Sequence, residues 1–190
     1  MEIGISTQIY WDYEELDLPG TIEHVVEDLG FEALEIHCED PLFEAWGREE
    51  GEETKRKVKE ALSAVEAEAT LHGPFHDLNL ATLNQRVREE VLRQHEEAIE
   101  FADFIGSEVI VVHPGFISSR KFKRERCEEV LIQNLEKLSK KAADHGVKLC
   151  LENLARKRKV IGASISEVRR ILEEADHENL EMTLDVAHAN

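Results

Sequence analysis

The sequence predicts an α/β fold: a TIM (β/α)8-type barrel, truncated after its sixth strand. Three observations carry that expectation. Short apolar runs alternate with longer stretches of helical period. The joints between helix and strand repeatedly hold a glycine, at Gly30, Gly106 and Gly146, the residue that accepts the left-handed turn closing a helix. Four apolar runs end on or beside a side chain able to bind a metal: Ala69–Leu71 on His72, Val109–Val112 on His113, Leu149–Leu151 on Glu152, and Met182–Leu184 on Asp185, with His188 three residues on. Side chains converging from successive strand ends are what a parallel barrel offers its active site.

Taken in order, Glu2–Ile9 reads as the first strand. Tyr10, Trp11 and Tyr13 follow, either as packing residues or as the wall of a pocket. Thr21 reads as the N-cap of a helix carrying Ile22, Val25, Val26 and Leu29, and Ala33–Ile36 as the second strand. Helices are expected over Arg48–Ala67, Asn84–Ile105 and Glu125–His145, each with an apolar stripe. Ser164-Ile-Ser-Glu167 is a capping box that opens the last helix. Leu180–Asp185 is the sixth strand.

Alternating units of this kind build either an open doubly wound sheet or a barrel. No GxGxxG follows the first strand and no Walker A sequence occurs. His72, His113, Glu152 and Asp185 are spaced 41, 39 and 33 residues apart, somewhat above the roughly 30 per unit of a ~250-residue barrel. The barrel is therefore favoured, with residues 1–190 as a single domain lacking the last two βα units.

Composition narrows the function classes. A net charge of −18 argues against a broad nucleic-acid or anionic-membrane surface. No apolar run approaches the roughly 20 residues that span a bilayer, and Met1–Ser6 does not open a signal peptide. Cys38, Cys127 and Cys150 are odd in number and form no CxxC motif, as expected of reduced thiols in a cytoplasmic protein.

Imidazole and carboxylate donors on separate strands suit a divalent ion such as zinc, manganese, magnesium or cobalt. At His72-Gly-Pro-Phe-His-Asp-Leu-Asn-Leu-Ala81, His113-Pro-Gly115, Leu151-Glu-Asn-Leu154 and Asp185-Val-Ala-His188 the sequence resembles the xylose-isomerase-like TIM barrels. That superfamily holds sugar and sugar-phosphate isomerases and epimerases, and endonuclease IV. The resemblance implies metal ligands at Glu152 and Asp185, with Glu152 also a catalytic acid or base. It implies a catalytic, substrate-contacting or metal-binding His188. It makes His72 and His113 zinc ligands as in the endonuclease, or substrate-binding residues as in the isomerases. Glu35 matches an acid of the isomerase branch, with an ordinary surface carboxylate as the competing reading. His37 and His76 lie near the pocket in sequence, whereas His24, His95, His145 and His177 read as helical structural residues. The superfamily's later ligands, a histidine near the seventh strand and a glutamate on the eighth, would fall beyond Asn190.

The cations are unevenly placed. Arg120, Lys121, Lys123, Arg124 and Arg126 precede one helix, and Arg156, Lys157, Arg158 and Lys159 follow Glu152. Loops at that end of a barrel recognise substrate, so Arg156 and Arg158 are expected to bind an anionic group. The predicted function is a metal-dependent isomerase or epimerase of a sugar or sugar phosphate, acting on a small anionic carbohydrate. Two other readings stand beside it: an endonuclease-IV-like zinc phosphodiesterase acting on abasic DNA, and a non-catalytic ligand-binding barrel. Nucleic acid and membrane are not expected partners. Open edges on the first and sixth strands predict self-association, and the 190-residue form is expected to be deficient in activity.

Overall fold

The computed structural model describes residues 3–10, 17–38, 49–65 and 67–189. Six strands form one parallel sheet: β1 (Gly4–Ser6), β2 (Ala33–His37), β3 (Glu68–His72), β4 (Val109–Val112), β5 (Lys148–Glu152) and β6 (Leu180–Thr183). Their spatial order is their order in sequence, and each neighbouring pair is parallel. A doubly wound sheet would reverse its order at a switch point. The sequential order is that of a barrel wall.

Helices cover one side of this wall. Leu18–Glu23 forms α1, which runs on as a wider π-helical turn over His24–Asp28. It begins three residues ahead of the Thr21 cap expected from sequence. Asp17 is the cap, its carboxylate accepting from Gly20 N at 3.1 Å, and Pro19 fits the first turn, where no amide donor is needed. The other helices are α2 (Glu49–Val65), α3 (Gln85–Ile105), α4 (Arg124–Asp144) and α5 (Ile165–Ala175). Asn84 caps α3 and Ser164 caps α5. The three joint glycines take positive φ of 75°, 81° and 70°. At the end of α5 the same left-handed turn is made by Asp176, with φ 42°, a joint that no glycine announces.

The first strand is shorter than predicted. Pairing stops at Ser6, and Thr7–Tyr10 turns into a 3-10 helix. Buried Thr7 turns its hydroxyl to the chain end of β2, accepting from His37 N at 3.2 Å. Tyr10 is exposed; Trp11 and Tyr13 lie outside the described residues.

Strand alternation divides the side chains between two faces. Leu34, Ile36, Leu71, Ile110, Val112, Leu149 and Leu151 are buried with Ile22, Val58, Val91, Leu131, Leu135, Leu138, Val168 and Ile171 in one apolar core. Each such side chain contributes about 1.5–3 kcal/mol when fully buried. The other face carries Glu35, His37, His72 and Glu152, and these polar residues run toward the carboxyl ends of the strands.

Candidate metal centre

Register builds the site. The pairing of Val112 with Leu151 carries the chain on to His113 beside Glu152. His37 pairs with His72, and Glu152 with Thr183. The carboxyl ends of β2 to β6 therefore meet around Glu152. Asp185 lies two residues beyond β6, not on the strand as the sequence suggested, and His188 lies in the turn that follows. That turn is closed by His188 N donating to Asp185 Oδ1 at 2.9 Å.

Two groups of three potential ligands share Glu152. His72, His113 and Glu152 form one; Glu152, Asp185 and His188 form the other. Within each group the ligand atoms lie within 4.8 Å of one another. Glu152 Oε2 is 2.9 Å from His113 Nε2 and 3.5 Å from His72 Nε2. Its Oε1 is 3.8 Å from His188 Nδ1, which lies 3.2 Å from Asp185 Oδ2. A mixed imidazole and carboxylate set suits zinc or a related divalent ion, so the residues present fit such an ion.

The site is arranged to hold Glu152 charged. Burial by itself would raise its carboxyl, but hydrogen bonds and charge from His113 and His72 hold it far below the usual carboxylate range. Burial also opposes the charge on His72. The Glu152 hydrogen bond, the nearby Glu35 carboxylate and the Gly73 carbonyl override it and raise His72 above the ordinary imidazole value. For His113 burial wins, despite Glu152, and the charge of His72 adds to it, so that imidazole is lowered. The opposite directions follow from position: His72 lies near both Glu35 and Glu152, whereas His113 is relieved by Glu152 alone. His72 Nδ1 donates to Gly73 O at 2.8 Å, which turns Nε2 toward Glu152.

Two asparagines hold the frame, and sequence reasoning did not assign them. Asn153 is buried; its Nδ2 donates to Asp185 O at 2.8 Å and its Oδ1 accepts from Asp185 N at 2.9 Å. It thus clamps the backbone of the second group to β5. Asn79 accepts at Oδ1 from Ala81 N and Phe116 N, each at 3.0 Å, and donates to Phe116 O at 2.8 Å. Gly115, with φ 98°, makes room for it: a Cβ there would lie 2.2 Å from Asn79 Oδ1. The signal available in sequence was an asparagine directly after Glu152 and another seven residues after His72.

The cationic loops are placed differently from the ligands. The loop after β4 and the loop after β5 are laced together by Ile117 N donating to Lys159 O at 2.8 Å and Ile161 N to Gly115 O at 3.1 Å. Arg156, Lys157 and Arg158 are exposed there, as are Arg120, Lys121 and Lys123 across the seam, and none belongs to either ligand group. None of the six forms an ion pair among the described residues. Arg124 departs from the expected rim: it joins α4 to α5 by bonding Glu128 at 2.7 Å and Glu167. Arg126 pairs with Glu129. The helical histidines are satisfied locally, His24 by Asp28, His95 by Val91 O, His145 by Asp103, and His177 by Asn179 N. Glu35 is half-buried beside His37, and His76 is exposed.

Residues 24–190 match the model of the xylose isomerase-like TIM barrel family. The chain belongs to that family. A protein of Methanocaldococcus jannaschii described as uncharacterized is 33% identical over all of this chain and 62% of its own length. A "Probable endonuclease 4" of Aquifex aeolicus is 26% identical over 86% of this chain and 56% of that protein. Among solved structures, a D-tagatose 3-epimerase-like protein superposes with a TM-score of 0.85 at 30% identity, covering 99% of this chain and 66% of that one. D-Psicose 3-epimerase of Clostridium cellulolyticum, solved with D-tagatose, gives 0.80 at 21% identity and speaks to fold alone. The chain spans just under two thirds of that first relative and of that first structure. Members of this family are isomerases, epimerases or endonucleases, and divalent metals serve them. All three cysteines are buried, and no described helix is long and apolar enough to cross a membrane.

Proposed function

We propose that this family member is a divalent-metal-dependent isomerase or epimerase of a sugar or sugar phosphate. The observation that carries the reading is the single carboxylate, Glu152, shared by both ligand groups and held ionised between imidazoles. The 30% identity to a D-tagatose 3-epimerase-like protein supports it. Glu152, Asp185 and His188 would hold the ion, with His72 and His113 able to complete or double the set. A divalent ion held by these residues would supply Lewis-acid polarisation of a substrate carbonyl. Glu152 moves a proton at the carbon beside that carbonyl. His188, tethered to Asp185, orients a substrate oxygen. Arg156 and Arg158 meet an anionic group at the rim. A reducing cytoplasm suits three buried cysteines that form no CxxC motif.

An endonuclease-type phosphodiesterase is the second reading. It is favoured by His72, His113 and Glu152 standing as one ligand group and by relatives named for that activity. The charge of −18 weighs against a DNA surface. The deciding experiment incubates the metal-loaded protein with D-tagatose, D-psicose, D-fructose and their phosphates, and separately with an abasic-site duplex. Interconversion of a ketose supports the isomerase reading; incision of the duplex with no sugar turnover replaces it with the second. Inactivity on both leaves a ligand-binding barrel.

A further inference from the structure

His37 belongs to neither ligand group, yet it is built into the same wall. It closes β2 in register with His72, and the two rings stack with centroids 4.4 Å apart and planes 9° from parallel. Phe75 meets the His37 ring edge-on at 6.0 Å. The backbone is fixed as well, since His37 N donates to Thr7 Oγ1. The side chain is only 10% exposed. Its Nε2 is 3.2 Å from Glu35 Oε1. Its Nδ1 is buried and has no hydrogen-bond partner among the described residues.

A buried polar atom without a partner costs about as much as a lost hydrogen bond. Such atoms in native structures call for an explanation, and a ligand group that completes the bond is one. Nδ1 is either donor or acceptor depending on the tautomer that Glu35 selects. With Nε2–H given to the Glu35 carboxylate, Nδ1 is an acceptor for a hydroxyl. Glu35 also accepts from the Ser6 side chain, and a carboxylate keeps lone pairs enough to accept from a ligand hydroxyl besides. Two acceptors side by side fit vicinal hydroxyls of a polyol chain and fit an anion poorly, because both acceptors repel negative charge. The position suits the part of a substrate remote from the Glu152–Asp185–His188 group, since His72 stands between.

We infer that Glu35 and His37 form a hydroxyl-binding subsite of the same centre, which takes the polyol tail of a carbohydrate. The inference rests on the carbohydrate reading above. It adds a binding role for His37 and a hydroxyl specificity for Glu35 that neither the metal groups nor the cationic loops supply.

The test uses two variants and two probes. His37→Phe keeps a flat ring to stack on His72 and removes both nitrogens; Glu35→Gln keeps shape and removes charge. Binding of D-tagatose and of Mn2+ is measured by calorimetry on parent and variants. Nitrogen-15 spectra of the histidines follow Nδ1 of His37 as D-tagatose is added. The expected result is a weakening of D-tagatose affinity by about tenfold in each variant, Mn2+ affinity within twofold of the parent, and a shift of the His37 Nδ1 resonance in the parent. Unchanged sugar affinity in His37→Phe overturns the subsite. So does a loss of Mn2+ affinity as large as the loss for sugar, which would make His37 a support for His72. A parent that binds none of D-tagatose, D-psicose or D-fructose overturns it too. A parent that binds D-tagatose through His37 but exchanges no carbon-bound proton with solvent leaves the subsite standing and removes the epimerase reading instead.

Discussion

His113 Nε2 stands 2.9 Å from Glu152 Oε2, so two neighbouring strand ends are joined through a carboxylate that both ligand groups use. Glu152→Gln should therefore weaken divalent-metal binding by at least about 100-fold. Asp185→Asn, which touches a single group, should cost less. Calorimetric titration with Mn2+ and Zn2+ measures both. A Glu152→Gln protein that binds like the parent would assign these acids another role.

Asn153 is a backbone clamp, and its loss should be felt in stability as well as in binding. Asn153→Ala strands the amide and carbonyl of Asp185 in a partly buried setting, at a cost of about 1–3 kcal/mol. Urea denaturation reads that cost. Metal affinity should fall in parallel, because Asp185 and His188 are positioned through this residue. Unaltered metal binding in a destabilised variant would confine Asn153 to folding.

The pH dependence of the metal-free protein follows from His72. Its folded-state value lies above the unfolded imidazole value of about 6.5. The stabilisation is then complete below the unfolded value and is lost as pH rises through the folded one. His113, lowered by burial, acts in the opposite direction, so the parent alone does not isolate the effect. The difference in stability between parent and His72→Gln should be larger at pH 6 than at pH 8. An equal difference at both values would show that folding leaves the His72 imidazole unshifted, and a smaller difference at pH 6 would show that it folds uncharged.

Glu128 ties α4 to α5. Its carboxylate meets Arg124 and Arg170, each at 2.7 Å. Both guanidinium groups are more than a third exposed, so solvent screens the attraction. Glu128→Gln should cost only about 1 kcal/mol, and Glu173→Gln, whose Arg169 partner is 3.8 Å away on the open surface, should leave the melting temperature unchanged within error.

The cations beyond β4 and β5, which pair with none of the described residues, predict selectivity rather than stability. Replacing Arg156, Lys157 and Arg158 with Ser should weaken D-fructose 6-phosphate more than D-fructose, and the gap should narrow as salt is raised. Equal losses for both sugars would mean that these loops serve structure alone.

Much of the molecule was legible in the residues themselves. The apolar runs and the glycines at 30, 106 and 146 set the alternation of strand and helix, because burial period and left-handed φ are local demands. The motifs around His72, His113, Glu152 and Asp185 marked the candidate ligands that the fold brings together, since each sits within a residue or two of a strand end. Local rules failed where a partner elsewhere in the chain decided the outcome. Thr7 ends the first strand because its hydroxyl serves an amide of the next one. Arg124 leaves the cationic rim because Glu128 and Glu167 lie within reach across two helices. Tertiary structure alone decided that Glu152 serves both ligand groups, that Asn153 clamps Asp185, and that His37 lies flat on His72. Those relationships depend on strand register, and register is a property of neighbouring strands rather than of any one stretch of sequence.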